Sequence, residues 1–186
     1  MFDLDRFIDD CREAIAQDSS HKSVREVVAR AVADHASVIK ALGEPTKAGL
    51  VPLYRSSELT ILNLSWGPLM TLQPHDHRMW ACIGIYGGRE DNIFWRRIEE
   101  GGGGHRIEAA GAKALGTGDC TVLGKDIIHS VTNPIPRLTG AIHVYGGDFF
   151  AAHRSEWDPE TLEEGPYDSA KVMQRFEDSN AMLAHR

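Results

Sequence analysis

The feature that most constrains this chain is a change of hydrophobic period at Ala48. Upstream, apolar residues recur at three and four. Downstream, to about residue 150, they alternate, as side chains do on the two faces of a β-strand. Short alternating segments fit residues 50–54, 58–66, 79–86, 91–98, 105–109, 120–123, 127–131 and 138–145, separated by Gly, Pro and Asn turns. About eight short strands broken in this way predict a sandwich or a barrel, and closing a barrel would remove exposed edges. Gly101 to Gly104 reads as a flexible loop, because a glycine run suits no packed element.

The flanks read as helical. Residues 3–16 place Leu4, Phe7, Cys11 and Ala14 on one face, with Asp3 able to cap the first turn. A second helix begins after Ser19 or Ser20, carries Val24, Val28, Val32, Val38 and Leu42, and ends at Gly43, Glu44 and Pro45. Residues 168–183 fit a last helix with a thin stripe of Val172, Met173, Phe176 and Met182. The expected organisation is one domain over residues 1–186: a helical segment 1–47, a β-barrel 48–150, and a tail 151–186.

The chemistry centres on Pro74, His75, Asp76 and His77. If this stretch is extended, His75 and His77 project together and Asp76 turns away. Two imidazoles on one rigid face supply adjacent corners of a coordination shell, and imidazole suits iron, zinc, copper and nickel. The same spacing also suits a polar pair on an exposed strand, so alone it leaves both readings open. Further on come a strand ending at Gly87 and Gly88, and a Gly118–Asp119 turn leading to the lone His129. That combination resembles the cupin superfamily, over residues 48–150. The resemblance implies a mainly-β, double-stranded β-helix (a jelly-roll barrel) with N-terminal helices and a short C-terminal helix, whose His75, His77 and His129 hold a metal inside.

Many cupins add a glutamate ligand a few residues after the His pair. Met79, Trp80, Ala81 and Cys82 occupy those positions, and none is a carboxylate. Three histidines alone leave positions open for a substrate and dioxygen. Ala141, His143 and Tyr145 share a strand face by alternation. With Trp80 after the His pair, these motifs resemble the thiol dioxygenases, the cysteine dioxygenase group. The resemblance implies Fe(II) on the three histidines (other divalent metals also suit them), a small carboxylate-bearing thiol, dioxygen and a sulfinate product. It implies catalytic roles for Tyr145 and His143, and substrate contacts from Arg55 and Trp80. The family's relay serine falls on Ala141, so the outer hydrogen bond of the relay has no partner there. Two alternatives keep the metal: a cupin iron dioxygenase with a non-thiol substrate, and a metal- or ligand-binding cupin without turnover. Some family members join a cysteine to the active-site tyrosine. Strand phase puts Met79 and Ala81 on the metal side and Cys82 on the other, so Tyr145 is expected to be unmodified.

Charge and cysteine content set the remaining bounds. Net charge is −7 without a basic cluster, which argues against nucleic acid. No apolar run approaches the roughly 18 residues of a membrane span, and the acidic start lacks the features of a signal peptide. Cys11, Cys82 and Cys120 are odd in number and show no C-x-x-C spacing, so a reducing, cytoplasmic setting is expected.

Overall fold

The computed structural model describes residues 1–99 and 105–185. The glycine loop expected at 101–104 lies outside the described residues, and so does the side chain of His105, which reads from its place beside the glycine run as a surface residue. Helix α1 spans Leu4–Gln17, and Asp3 caps it by accepting from the Arg6 amide at 2.9 Å. The single helix expected next is two: α2, His21–Ala33, and α3, His35–Leu42. Asp34 breaks it. Its backbone leaves the helical region and its carboxylate caps α3 at the Ser37 amide, a local bond that competes with continuing the helix.

The strands are β1 (Gly49–Arg55), β2 (Thr60–Trp66), β3 (Thr71–Asp76), β4 (Ala81–Gly87), β5 (Arg89–Glu99), β6 (His105–Gly116), β7 (Cys120–Leu123), β8 (Ile128–Thr132), β9 (Thr139–Tyr145), β10 (Ser155–Trp157) and β11 (Glu164–Pro166). Helix α4, Ser169–Ala184, closes the described chain. The mainly-β character with helices at both ends matches expectation. The closed barrel does not. The strands form two open sheets, ordered β1-β2-β9-β4-β7 and β11-β10-β3-β8-β5-β6. Alternation reports which face of a strand is buried, not whether its edge is paired, and three of the four edges are blunted by other means. Edge strand β1 contains Pro52, which has no amide to offer, and a bulge between Pro52 and Tyr54. Edge strands β7 and β11 span only four and three residues.

One apolar cluster lies on the inner faces and draws on both sheets: Leu62, Ala81, Ile83, Ala141 and Tyr145 from the first, Leu72 and Val131 from the second. A second cluster packs α1 and α2 on the outer face of the first sheet, through Cys11, Val24, Val28 and Val32 against Ile61, Cys82, Ile142 and Val144. Gly84 permits the close approach, because a Cβ there would meet Val28 and Val32 at 2.6 and 2.7 Å. Two contacts help to dock helix α4. Asn180 bonds both backbone groups of Ala48 at 2.7 and 2.9 Å, and Phe176 stacks on Trp66 with centroids 5.7 Å apart. No helix among the described residues is long and apolar enough to cross a membrane.

Candidate metal centre

Strand pairing brings the histidines together. His75, near the end of β3, sits directly opposite His129 on β8. His77 arrives differently from the expected i, i+2 alternation. β3 stops at Asp76, and His77 lies just past its end, before the bend at Arg78 and Met79 that leads to β4. That bend passes through Arg78 at φ 56°, a conformation unusual for a non-glycine residue. Asp76 holds the bend in place. It faces away from the histidines' cluster and takes Arg78 Nε at 2.7 Å and the Ser155 amide at 2.9 Å.

The three rings are 1–5% exposed and their centroids lie 4.6–5.1 Å apart. One ligating atom from each falls within 4.8 Å of the others. His75 donates Nδ1–H to the Gln73 carbonyl at 2.9 Å, and His129 donates Nδ1–H to Asn92 Oδ1 at 2.7 Å. With Nδ1 committed, each neutral ring keeps its lone pair on Nε2, the arrangement that orients histidine ligands. His129 Nε2 and His77 Nε2 are 3.2 Å apart. Two nitrogens each about 2.1 Å from one ion would stand at a similar separation. Burial pushes all three pKa values down, His75 to about 4 and the other two well below the usual histidine value, reinforced by the neighbouring imidazoles and, at His75 and His77, by Arg154. Neutral, convergent imidazoles in a protected site fit a divalent ion.

A polar network leads from the histidines into the first sheet. Glu90 and Asn92 alternate onto the inner face of β5, and both are buried. Glu90 accepts from Trp66 Nε1 at 2.7 Å, Asn92 Nδ2 at 2.9 Å and His143 Nε2 at 3.2 Å. Burial would raise the pKa of Glu90. The neighbouring His143 and the three hydrogen bonds outweigh it and leave the carboxyl below its ordinary value. On its other nitrogen His143 meets the Tyr145 hydroxyl at 3.0 Å. The Tyr145 ring stands edge-on to His77 with centroids 5.0 Å apart, and burial raises its pKa. The structure therefore brings together His75, His77, His129, His143 and Tyr145.

Arg55 and Trp80 are placed elsewhere. Arg55 is half exposed, gives both arms of its guanidinium fork to Asp148 at 2.9 Å and lies over Phe150. Trp80 packs with the outer cluster and donates Nε1–H to the Ser19 carbonyl at 3.2 Å. Cys82 is opposite Val144 in register and Ala81 opposite Tyr145, so Cys82 and Tyr145 occupy opposite faces of one sheet.

Arg154 is the cation beside the histidines, and its sequence context does not single it out. Its guanidinium is sandwiched 4.0 Å from both the Phe149 and Tyr167 rings. Phe149 in turn contacts His77 and Tyr145, and Tyr167 contacts His75. Nε and Nη1 of Arg154 are buried and have no hydrogen-bond partner among the described residues. Leaving buried charged donors unpaired is expensive, a cost that an anion bound beside them would offset. The only sequence signal is an arginine between Phe149 and Tyr167 in an otherwise polar tail. Glu90 falls just before the strand expected over 91–98 and reads in the sequence as a charge beside the Gly87–Gly88 turn.

No family model matches the sequence. Several solved structures are similar. An uncharacterized conserved protein with a double-stranded β-helix domain from Klebsiella pneumoniae is 12% identical over 61% of this chain and 81% of its own, with a TM-score of 0.45. A cupin family protein from Methanocaldococcus jannaschii is 8% identical over 57% and 86%, with a TM-score of 0.46. The DMSP lyase DddQ from Ruegeria pomeroyi is 18% identical over 61% and 53%, with a TM-score of 0.46.

Proposed function

We propose that the protein is a metal-dependent enzyme that takes a small anionic substrate beside a three-histidine centre. The observation that carries this reading is the convergence of three neutral histidines, the Tyr145 hydroxyl and the unpaired guanidinium N–H groups of Arg154 in one buried region. His75, His77 and His129 would hold the ion. A divalent metal bound there supplies Lewis acidity, together with open coordination positions, and lowers the pKa of a bound acid such as a thiol. Arg154 binds a substrate carboxylate through its free N–H groups, and the Phe149 and Tyr167 faces fix the plane of the fork. Tyr145 positions a polar group of the substrate and holds a proton at its hydroxyl, oriented by His143. The surrounding aromatic rings keep water out, which strengthens each of these interactions.

The specific form of this reading is an Fe(II) enzyme that oxidises a small carboxylate-bearing thiol to a sulfinate with dioxygen. It is supported by the sequence resemblance to the thiol dioxygenases. A second form keeps the site and replaces the thiol with another small carboxylic acid. It is favoured by the recognition groups themselves, since Arg154 and Tyr145 address an anion and a polar group rather than a sulfur. Metal analysis of the purified protein, followed by oxygen uptake and product analysis with three-carbon thiols and hydroxy acids, with and without a carboxylate, tests both. Oxygen uptake confined to carboxylate-bearing thiols supports the first form. Turnover of a thiol-free acid alone replaces it with the second. A protein that binds no divalent metal defeats both.

A further inference from the structure

We propose that Glu90 is the positioning residue of this centre: through Asn92 it sets which nitrogen of His129 faces the ion, and through His143 it sets the direction of the Tyr145 hydrogen bond, a role that rests on the metal reading above for its His129 half and not for its Tyr145 half. The premise is chemical. An ionised carboxylate accepts hydrogen bonds and donates none. Glu90 is fully buried and three donors point at it, from Trp66, Asn92 and His143.

Each bond has a consequence further along. Asn92 must turn its NH2 toward Glu90 Oε1, so it presents Oδ1 to His129. His129 must then carry its hydrogen on Nδ1, which leaves Nε2 free toward His77, on the side where an ion would sit. On the other side, His143 must carry a hydrogen on Nε2, so as a neutral ring it offers Nδ1 as an acceptor and Tyr145 donates its O–H to it. Ala141, on the same strand face, has no hydroxyl to offer His143. Glu90 on the facing sheet holds that outer place, and in doing so it ties Tyr145 to His129 through a continuous set of side-chain bonds. A neutral acceptor such as a serine hydroxyl would satisfy His143 but would not dictate polarity, because a hydroxyl both donates and accepts. Trp66 stacked on Phe176 braces the carboxylate from the side of α4.

Glu90→Gln tests the polarity while keeping the shape. A glutamine presents one oxygen and one NH2. If the oxygen stays with Trp66 and His143, the NH2 faces the Asn92 NH2. Asn92 then has to flip, its NH2 meets His129 Nδ1, and His129 is driven to the tautomer with hydrogen on Nε2. Zinc affinity, measured by competition with a chromophoric chelator, should fall about 10–100-fold, as is typical when the partner of a ligating histidine is lost. Adding Asn92→Asp to Glu90→Gln should recover most of that loss, because an aspartate accepts from both the introduced amide NH2 and His129 Nδ1–H. A residue that merely filled space would show no such rescue. Side-chain 15N spectra of the metal-free wild-type protein give an independent readout, with His129 expected as the Nδ1–H tautomer and His143 carrying hydrogen on Nε2. Unchanged zinc affinity in Glu90→Gln, a folded double variant no better than the single one, the opposite tautomer at either histidine, or hydrogen on both nitrogens of His143 would each overturn the proposal. If wild-type protein binds no zinc, the metal reading fails, and the spectra still decide the role of Glu90. Should neither variant fold, the wild-type spectra decide it as well.

Discussion

Acidifying the metal-free protein from pH 7 to pH 4 should destabilise it through His75, by an amount the structure sets. The ring is buried, and burial lowers its pKa to about 4 against an ordinary value of 6.5. The unfolded chain therefore takes up a proton at His75 before the folded protein does. This contribution to stability is present in full above about pH 6.5, falls as the pH drops toward 4, and levels off below it. At about 1.4 kcal/mol per pH unit, the gap between 6.5 and 4 amounts to about 3.5 kcal/mol. That is a large share of the roughly 5–15 kcal/mol typical of a domain's total stability. His77 and His129 shift in the same direction and add to the loss. The assay is urea unfolding of chelator-treated protein at half-unit pH steps, with His75→Gln beside the wild type. Groups common to both proteins cancel in the difference, so the His75→Gln curve should be flatter between pH 6.5 and 4. Parallel curves would refute the argument, since they would mean that His75 is solvated or already protonated in the folded state. Saturating zinc should raise stability at pH 7 and make the acid loss steeper, because protons and metal compete for the same nitrogens.

Other outcomes follow from the same geometry. His129→Ala should remove most of the bound divalent metal, measured by elemental analysis after gel filtration, and full occupancy would dismiss His129 as a ligand. Arg154→Met should weaken binding of a carboxylate substrate at least tenfold while leaving thermal stability unchanged or raised, because it removes buried charged donors that lack partners. The companion Arg55→Ala should leave the KM near wild type, since that fork is engaged by Asp148, and the reverse pattern in the two variants would exchange their roles. Peptide mass spectrometry after aerobic turnover should find Cys82 and Tyr145 unjoined, because they lie on opposite faces of the sheet. A two-hydrogen loss linking their peptides would show that register to be mistaken.

Much of this architecture is written locally. The alternation after Ala48 marks the strands, because side chains on a pleated backbone point to opposite faces. Asp3 and Asp168 cap the helices they precede. Even the side of Cys82 follows from phase, although the chain bends at Arg78 between His77 and β4, and Met79 and Ala81 still face the inner cluster. The spacing of His75 and His77 leaves a metal site and a polar pair both open, and only the pairing with His129 brings the third imidazole to them. Ala141, His143 and Tyr145 share a face by strand alternation.

What the sequence does not carry depends on pairing between distant segments. Whether two sheets close into a barrel depends on their edges, and a hydrophobic pattern is silent about edges. Glu90 reads locally as a charge beside a turn. It becomes a buried acceptor only when β5 lies across the core from β9 and Trp66 and His143 reach it. Arg154 sits in a polar tail, and only the packing of Phe149 and Tyr167 on its two faces turns it from a surface cation into one with unpaired donors beside the histidines. Conversely, Arg55 lies at the end of an early strand, where a substrate clamp was expected, and Asp148, 93 residues away, occupies its fork. Periodicity encodes which face a residue shows. The partner that meets it there, and so its charge state and its chemistry, is decided by the tertiary structure.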